Sequence, residues 1–132
     1  MRLAILLVTL MPALAVDSSR PARAQFALPK AVPLTGDTLF GQQCGACHSI
    51  VPGETRVGPS LAGILGRKAG SLPGFEYSVA LKKSDLVWTP ANLDHWLSGS
   101  VAFVPGTAMT YSQSDAAKRR AIIDYLGHFP SQ

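Results

Sequence analysis

Cys44, Cys47 and His48 stand together in Cys44-Gly45-Ala46-Cys47-His48, and these are the side chains of this sequence best placed to do chemistry. The two thiols are the only ones among 132 residues. If the segment is helical, positions i, i+3 and i+4 share one face, so all three side chains address the same object. Thiols at that spacing can add to the two vinyl groups of a haem while the imidazole ligates its iron from one side. Gly45 and Ala46 leave the surface bare, so a flat macrocycle can approach. Two other chemistries use similar residues. A thiol–disulfide redox pair also reads C-x-x-C, but no βαβ pattern surrounds it and His48 would be idle. A structural zinc site needs four ligands, and His95 and His128 lie far off without paired spacing. Haem attachment uses all three residues.

The N-terminus points to export. Met1-Arg2 is a short positive segment, and an apolar run from Leu3 to Val16 follows it. The run is short for a membrane span, and small-residue cleavage sites follow at Ala13-Leu14-Ala15 and Ala22-Arg23-Ala24. The reading adopted is a signal peptide over 1–24, with cleavage after Ala15 as the alternative and a retained anchor as the competing fate. Cleavage after Ala24 removes Arg2, Arg20, Arg23 and Asp17, so the net charge falls from +4 to +2. Haem propionates would lower it further. The basic composition therefore does not argue for a nucleic-acid partner.

About 108 residues remain after such cleavage, enough for one small domain. A core of that size is marginal alone, and a buried, tethered haem would supply the missing apolar contact. Residues 25–35, with Pro29 and Pro33, form an extended lead-in, and the domain occupies 36–132. The pattern is all-α, with short helices and long loops. Thr35-Gly36-Asp37 opens a helix expected to run to about Cys47, with Leu39 and Phe40 inward. Leu61–Leu65 suggests a short helical turn, and Tyr77–Lys83 a short helix. Thr89 as N-cap with Pro90 starts another, which stops at Gly99. Ser112 or Ser114 is expected to cap a last helix carrying Ile122, Ile123, Tyr125 and Leu126. Loops this long argue for something central that they wrap.

The sequence resembles the class I cytochromes c, in particular the mitochondrial-like branch. Gly36-Asp-Thr-Leu-Phe40 leads into the haem motif as in that family's first helix. Val57-Gly58-Pro59-Ser60-Leu61, Gly63, Gly66-Arg67-Lys68 and Gly70 follow its next loop. Pro73-Gly74-Phe75, Tyr77-Ser78, Trp88, Val104-Pro105-Gly106-Thr107-x-Met109 and Ile122-x-x-Tyr125-Leu126 come in the family's order. The likeness runs from about Gly36 to Leu126. It implies a cytochrome c fold wrapped around one covalent haem c attached at Cys44 and Cys47.

The resemblance also implies roles for single residues. His48 and Met109 would be the axial iron ligands, a His/Met pair that raises the reduction potential. After cleavage Met109 would be the only methionine left, whereas a lone methionine in a protein is usually packing. His95 and His128 are weaker rivals for the axial position. The Pro59 carbonyl would accept from the His48 ring and so fix its orientation. Tyr77 and Trp88 would donate to a haem propionate, and Arg67 would offset propionate charge, because a buried carboxylate needs such partners. Thr107 belongs to the methionine loop, and Trp96 lies beside it.

Departures from the mitochondrial pattern carry information too. Leu81 stands where that branch has a polar amide, and Trp96 where it has a tyrosine. Gln43, Val101, Ala102 and Ala108 replace lysines, so the docking rim should be less positive and more apolar. The expected protein is a periplasmic, monomeric, single-haem electron carrier and not an enzyme. Its partners would be redox proteins: a donor dehydrogenase or cytochrome bc-type complex, and an acceptor oxidase or reductase. No nucleic-acid partner and no stable membrane insertion are expected. Two alternatives stand beside it. One is a fixed electron-transfer subunit of a periplasmic dehydrogenase or membrane oxidase, the other a haem enzyme or sensor with an open iron site.

Overall fold

The computed structural model describes residues 34–129. The expected signal peptide, most of the lead-in, and residues 130–132 lie outside that range. Among the described residues five helices follow in chain order: α1 (Gly36–Gln43), α2 (Val79–Lys83), α3 (Pro90–Ser98), α4 (Ser100–Phe103) and α5 (Ala116–Leu126). Among the described residues the only β pairing is an isolated antiparallel bridge between Lys68 and Val87. The all-α expectation holds.

The frame is α5 packed against both α1 and α3. Leu39 and Phe40 on α1 are buried, as are Leu93, Trp96 and Leu97 on α3 and Ile122, Ile123 and Leu126 on α5. The α3 and α5 sets recur at helical spacing, and their apolar stripes meet the adjacent pair Leu39 and Phe40 of α1 in one core. At Gly36 α1 lies close against α5: a Cβ there would overlap the Ala121 carbonyl and the Tyr125 Cβ. Phe40 and Tyr125 pack beside that crossing with tilted rings, centroids 5.6 Å apart. α3 starts as its sequence asks. The Thr89 hydroxyl accepts from the Asn92 N–H at 3.1 Å, and Pro90 occupies the first turn.

Several boundaries differ from expectation, each for a local reason. α1 ends at Gln43 instead of reaching Cys47. There the N–H groups of Cys44 and Gly45 both donate to the Phe40 carbonyl at 2.8 Å, which widens the ladder and ends it. One turn nevertheless follows, because the His48 N–H donates to the Cys44 carbonyl at 2.8 Å. Leu61–Leu65 forms turns, not helix: Gly63 and Gly66 sit at φ +63° and +80°, left-handed conformations that interrupt α-helix. α2 starts at Val79, with the Ser78 hydroxyl accepting from the Leu81 N–H. α5 is capped by Asp115, whose carboxylate accepts from both Ala117 and Lys118, and not by Ser112 or Ser114. The one-turn α4 was not foreseen from the sequence.

Candidate functional site

The turn after α1 sets the first half of the site. Cys44 is buried in the core and Cys47 is exposed. Burial, with a smaller contribution from the nearby Cys47, pushes the Cys44 thiol up to about 11. The half-buried His48 ring places Nδ1 2.8 Å from the Pro59 carbonyl oxygen. A carbonyl can only accept, so the proton sits on Nδ1 and the Nε2 lone pair stays free for a metal. Burial lowers the His48 pKa, and the Pro59 bond offsets part of that shift. This is the donor set of a ligating imidazole with its outer partner in place.

Two residues to which the sequence alone assigns no role complete this half. Gly58 lies flat against the His48 ring, and a Cβ there would overlap Cε1 and Nδ1. The Arg56 guanidinium donates to the Gly45 carbonyl through Nη1, and Glu54 holds the same side chain at 2.9 Å. Glu54 in turn accepts from the buried Ser49 hydroxyl at 2.6 Å. Its pKa is lowered chiefly by that hydroxyl and then by Arg56. Arg56 thus satisfies carbonyl oxygen exposed where the first helix has ended. A glycine before Pro59 was visible in the sequence as part of a motif, but the ring it touches was not.

The second half comes from distant segments. Trp88 and Trp96 are buried with their rings edge to face, centroids 5.2 Å apart. They share one apolar cluster with Cys44 and Leu81, and Tyr77 and Met109 pack against it. The Arg67 carbonyl accepts from the Trp88 N–H at 2.9 Å, which joins these two loops next to the Lys68–Val87 bridge. The Arg67 guanidinium donates to the carbonyls of Ser60 (2.9 Å) and Ala62 (3.1 Å). Burial lowers its pKa while neighbouring Tyr77 raises it. Thr107 accepts from the Met109 N–H at 3.4 Å, in the turn that presents the methionine. The two rival imidazoles lie elsewhere. His95 is exposed and stacks on Phe103 at 5.6 Å, and His128 is exposed just after α5.

The pieces fit a haem c: two thiols and a metal-ready imidazole in one turn, a glycine close against the ring, and an aromatic and aliphatic cluster that includes Cys44. The relatives agree. The chain is 44% identical over 99 residues to cytochrome c2 of Rhodopila globiformis, covering 74% of this chain and 93% of the relative. It is 40% identical over 93 residues to cytochrome c type-1 of Ascaris suum, covering 70% and 83% of the two chains. Among solved structures, cytochrome cH from Methylobacterium extorquens superposes with a TM-score of 0.66 at 42% identity, covering 70% of this chain and 94% of the other. No protein-family model matches the chain. The chain belongs to the class I cytochromes c. It has the single-domain all-α cytochrome c fold and binds one haem c covalently through its C-x-x-C-H motif. This cytochrome c is an electron-transfer protein and not an enzyme. Among the described residues no helix is long and apolar enough to cross a membrane.

Proposed function

We propose that this cytochrome c is a periplasmic shuttle whose iron is held between His48 and Met109, moving single electrons between redox proteins. Cys44 and Cys47 would hold the haem as thioethers. The bound haem supplies the Fe(III)/Fe(II) couple, so one electron moves and no substrate bond changes. His48 presents Nε2 because Pro59 occupies Nδ1. The observation that carries the second ligand is the chemistry of the loop from Gly99 to Ser112. Its only side chains able to titrate or to ligate iron strongly are Met109 and Tyr111. Tyr111 is committed elsewhere: its hydroxyl donates to Gln43 at 2.6 Å, and burial raises its pKa. Met109 remains, half-buried and packed on the cluster that contains Cys44. A soft neutral thioether suits both iron oxidation states.

The surroundings support a carrier that keeps its iron closed. Trp96, Trp88 and Leu81 are buried and would keep water from the haem face; Tyr77 would donate to a propionate, and Arg67, its guanidinium held by the Ser60 and Ala62 carbonyls, would offset its charge. The electron donor would be a dehydrogenase or a cytochrome bc-type complex, and the acceptor an oxidase or reductase. Export would follow from the signal peptide read over 1–24. The test is spectroscopic. The haem should survive acid–acetone extraction, and the oxidised protein should show the weak far-red charge-transfer band of sulfur–iron ligation. Ready binding of carbon monoxide by the reduced wild-type protein at neutral pH would overturn the His/Met reading and favour an open iron site.

A further inference from the structure

The methionine loop has a lock that the ligand assignment does not use. Ser100 opens α4 and is 0% exposed, one of the most completely buried residues described. Its hydroxyl donates to the Met109 carbonyl at 2.7 Å, with the Tyr111 carbonyl a longer acceptor at 3.1 Å. The same oxygen accepts from the Tyr111 N–H at 3.0 Å. The Ser100 N–H donates to the Tyr111 carbonyl at 3.0 Å. One small side chain therefore grips the backbone on both sides of Thr110. Tyr111 then carries the connection onward, because its hydroxyl donates at 2.6 Å to Gln43 Oε1, which also accepts from Gln113 Nε2 at 2.9 Å. Gln43 is the last residue of α1 and precedes Cys44.

We propose that Ser100 is a positioning residue for the sixth ligand, locking the Met109 backbone to α4 and, through Tyr111 and Gln43, to the cysteine-bearing turn. The proposal rests on Met109 being that ligand. The physical need is clear from the loop itself. A thioether makes no strong hydrogen bond, and α4 is a single turn too short to hold its own shape. The side chain can stay in place only if its backbone does. Without the hydroxyl, the Met109 carbonyl and Tyr111 N–H lose their partner in a buried setting, and an open loop that rehydrates them gains population.

The test compares the ferric holoprotein with Ser100→Ala, Tyr111→Phe and, as control, Ser98→Ala, whose hydroxyl bonds only within its own helix. Imidazole must displace Met109 to bind the iron, so its apparent affinity reads the open population. Ser100→Ala should raise that affinity about tenfold and weaken the sulfur–iron band at moderate temperature, and Tyr111→Phe should raise it about threefold. Ser98→Ala should leave both unchanged. A merely structural serine would lower the denaturation midpoint and leave imidazole affinity and the band as in wild type, and that result overturns the proposal. If Ser100→Ala yields no holoprotein, Tyr111→Phe decides: a rise supports the lock and an unchanged affinity overturns it. A wild-type protein without the sulfur–iron band refutes the Met109 assignment itself, and the lock falls with it. A wild-type band with an unresponsive Ser100→Ala refutes the lock alone.

Discussion

The two sides of the proposed His48/Met109 haem site are built on different plans. His48 is held by its own sequence neighbourhood. Two attachment cysteines lie within four residues, Pro59 fixes the ring from eleven residues on, Gly58 backs it, and the Arg56–Glu54–Ser49 set braces the carbonyls beneath. Met109 has no such local frame. It sits in an uncharged loop, Gly99 to Ser112, held by a buried serine and by links to α1 and α5. The histidine side is a rigid local unit, and the methionine side a segment kept in place by tertiary contacts. One should fail by unfolding and the other by opening.

Met109→Ala is the largest expected perturbation. It should abolish the sulfur–iron band, let carbon monoxide bind the ferrous protein, and lower the potential by on the order of 100 mV or more, where 59 mV is tenfold in a one-electron equilibrium. Potentiometric titration and carbon monoxide difference spectra check it. An unchanged potential would erase the contrast between the two sides.

On the histidine side the sharpest probe is Gly58→Ala. Its methyl group would occupy the space of the imidazole, so about 3 kcal/mol of stability should go, as with other overpacked sites. Gly66 has nothing within 4 Å of a built Cβ, only a φ of +80°. Gly66→Ala should therefore cost about 1 kcal/mol, the left-handed strain alone. Denaturant midpoints of the two variants separate contact from strain, and equal losses would show that the ring is not tightly backed.

The methionine side should also govern docking. Phe103 is half-buried beside exposed Val101, in a loop without charge, whereas Lys82 is already paired with Glu76 at 2.9 Å. Phe103→Asp should slow electron transfer to a partner more than neutralising Lys82 and Lys83 together. Wild-type rates should change less than about tenfold between low and physiological salt, since little charge is available to steer the encounter. Stopped-flow measurements across a salt series decide it, and a steeper dependence would restore a basic docking face.

The smallest effect concerns acid. Asp94 accepts from Arg119 at 2.7 Å, and Arg119 also donates to the carbonyls of Gln113 and Ser114, where the methionine segment ends. The Arg119 hydrogen bond depresses the Asp94 pKa below its ordinary 3.8. A depressed carboxylate contributes stability that is present above its unfolded pKa and lost as pH falls through the folded one. Stability should drop below about pH 4, and Asp94→Asn should flatten that drop while costing at most about 1 kcal/mol at neutral pH. Acid titration of the sulfur–iron band tests whether this anchor serves the loop. A band that outlasts the loss of the pair would confine Asp94 to the α3–α5 contact.

Cys44, Cys47, His48 and the helix starts at Gly36 and Pro90 were legible as sequence because their chemistry depends on residues a few positions away, whereas the part Pro59 plays for His48, eleven residues off, came from the family resemblance. Spacing within a turn, a cap followed by proline, and an apolar stripe at helical period are all short-range statements. The early end of α1 was less legible, since it depends on which carbonyl two competing N–H groups choose. Asp115 was overlooked as a cap because nearby serines offered the same chemistry, and only geometry shows which oxygen reaches two N–H groups.

What no local pattern could give is the company each side chain keeps. Ser100 reads as one polar residue among apolar ones until folding buries it against Met109 and Tyr111, nine and eleven residues on. Gln43 reads as a missing lysine until Tyr111 arrives from 68 positions away. Sequence by itself determined where the haem is attached, because the C-x-x-C-H motif is set by neighbours along the chain. The tertiary structure alone decided that Ser100 meets the Met109 and Tyr111 backbone, because burial makes a single hydroxyl matter and burial depends on the whole fold.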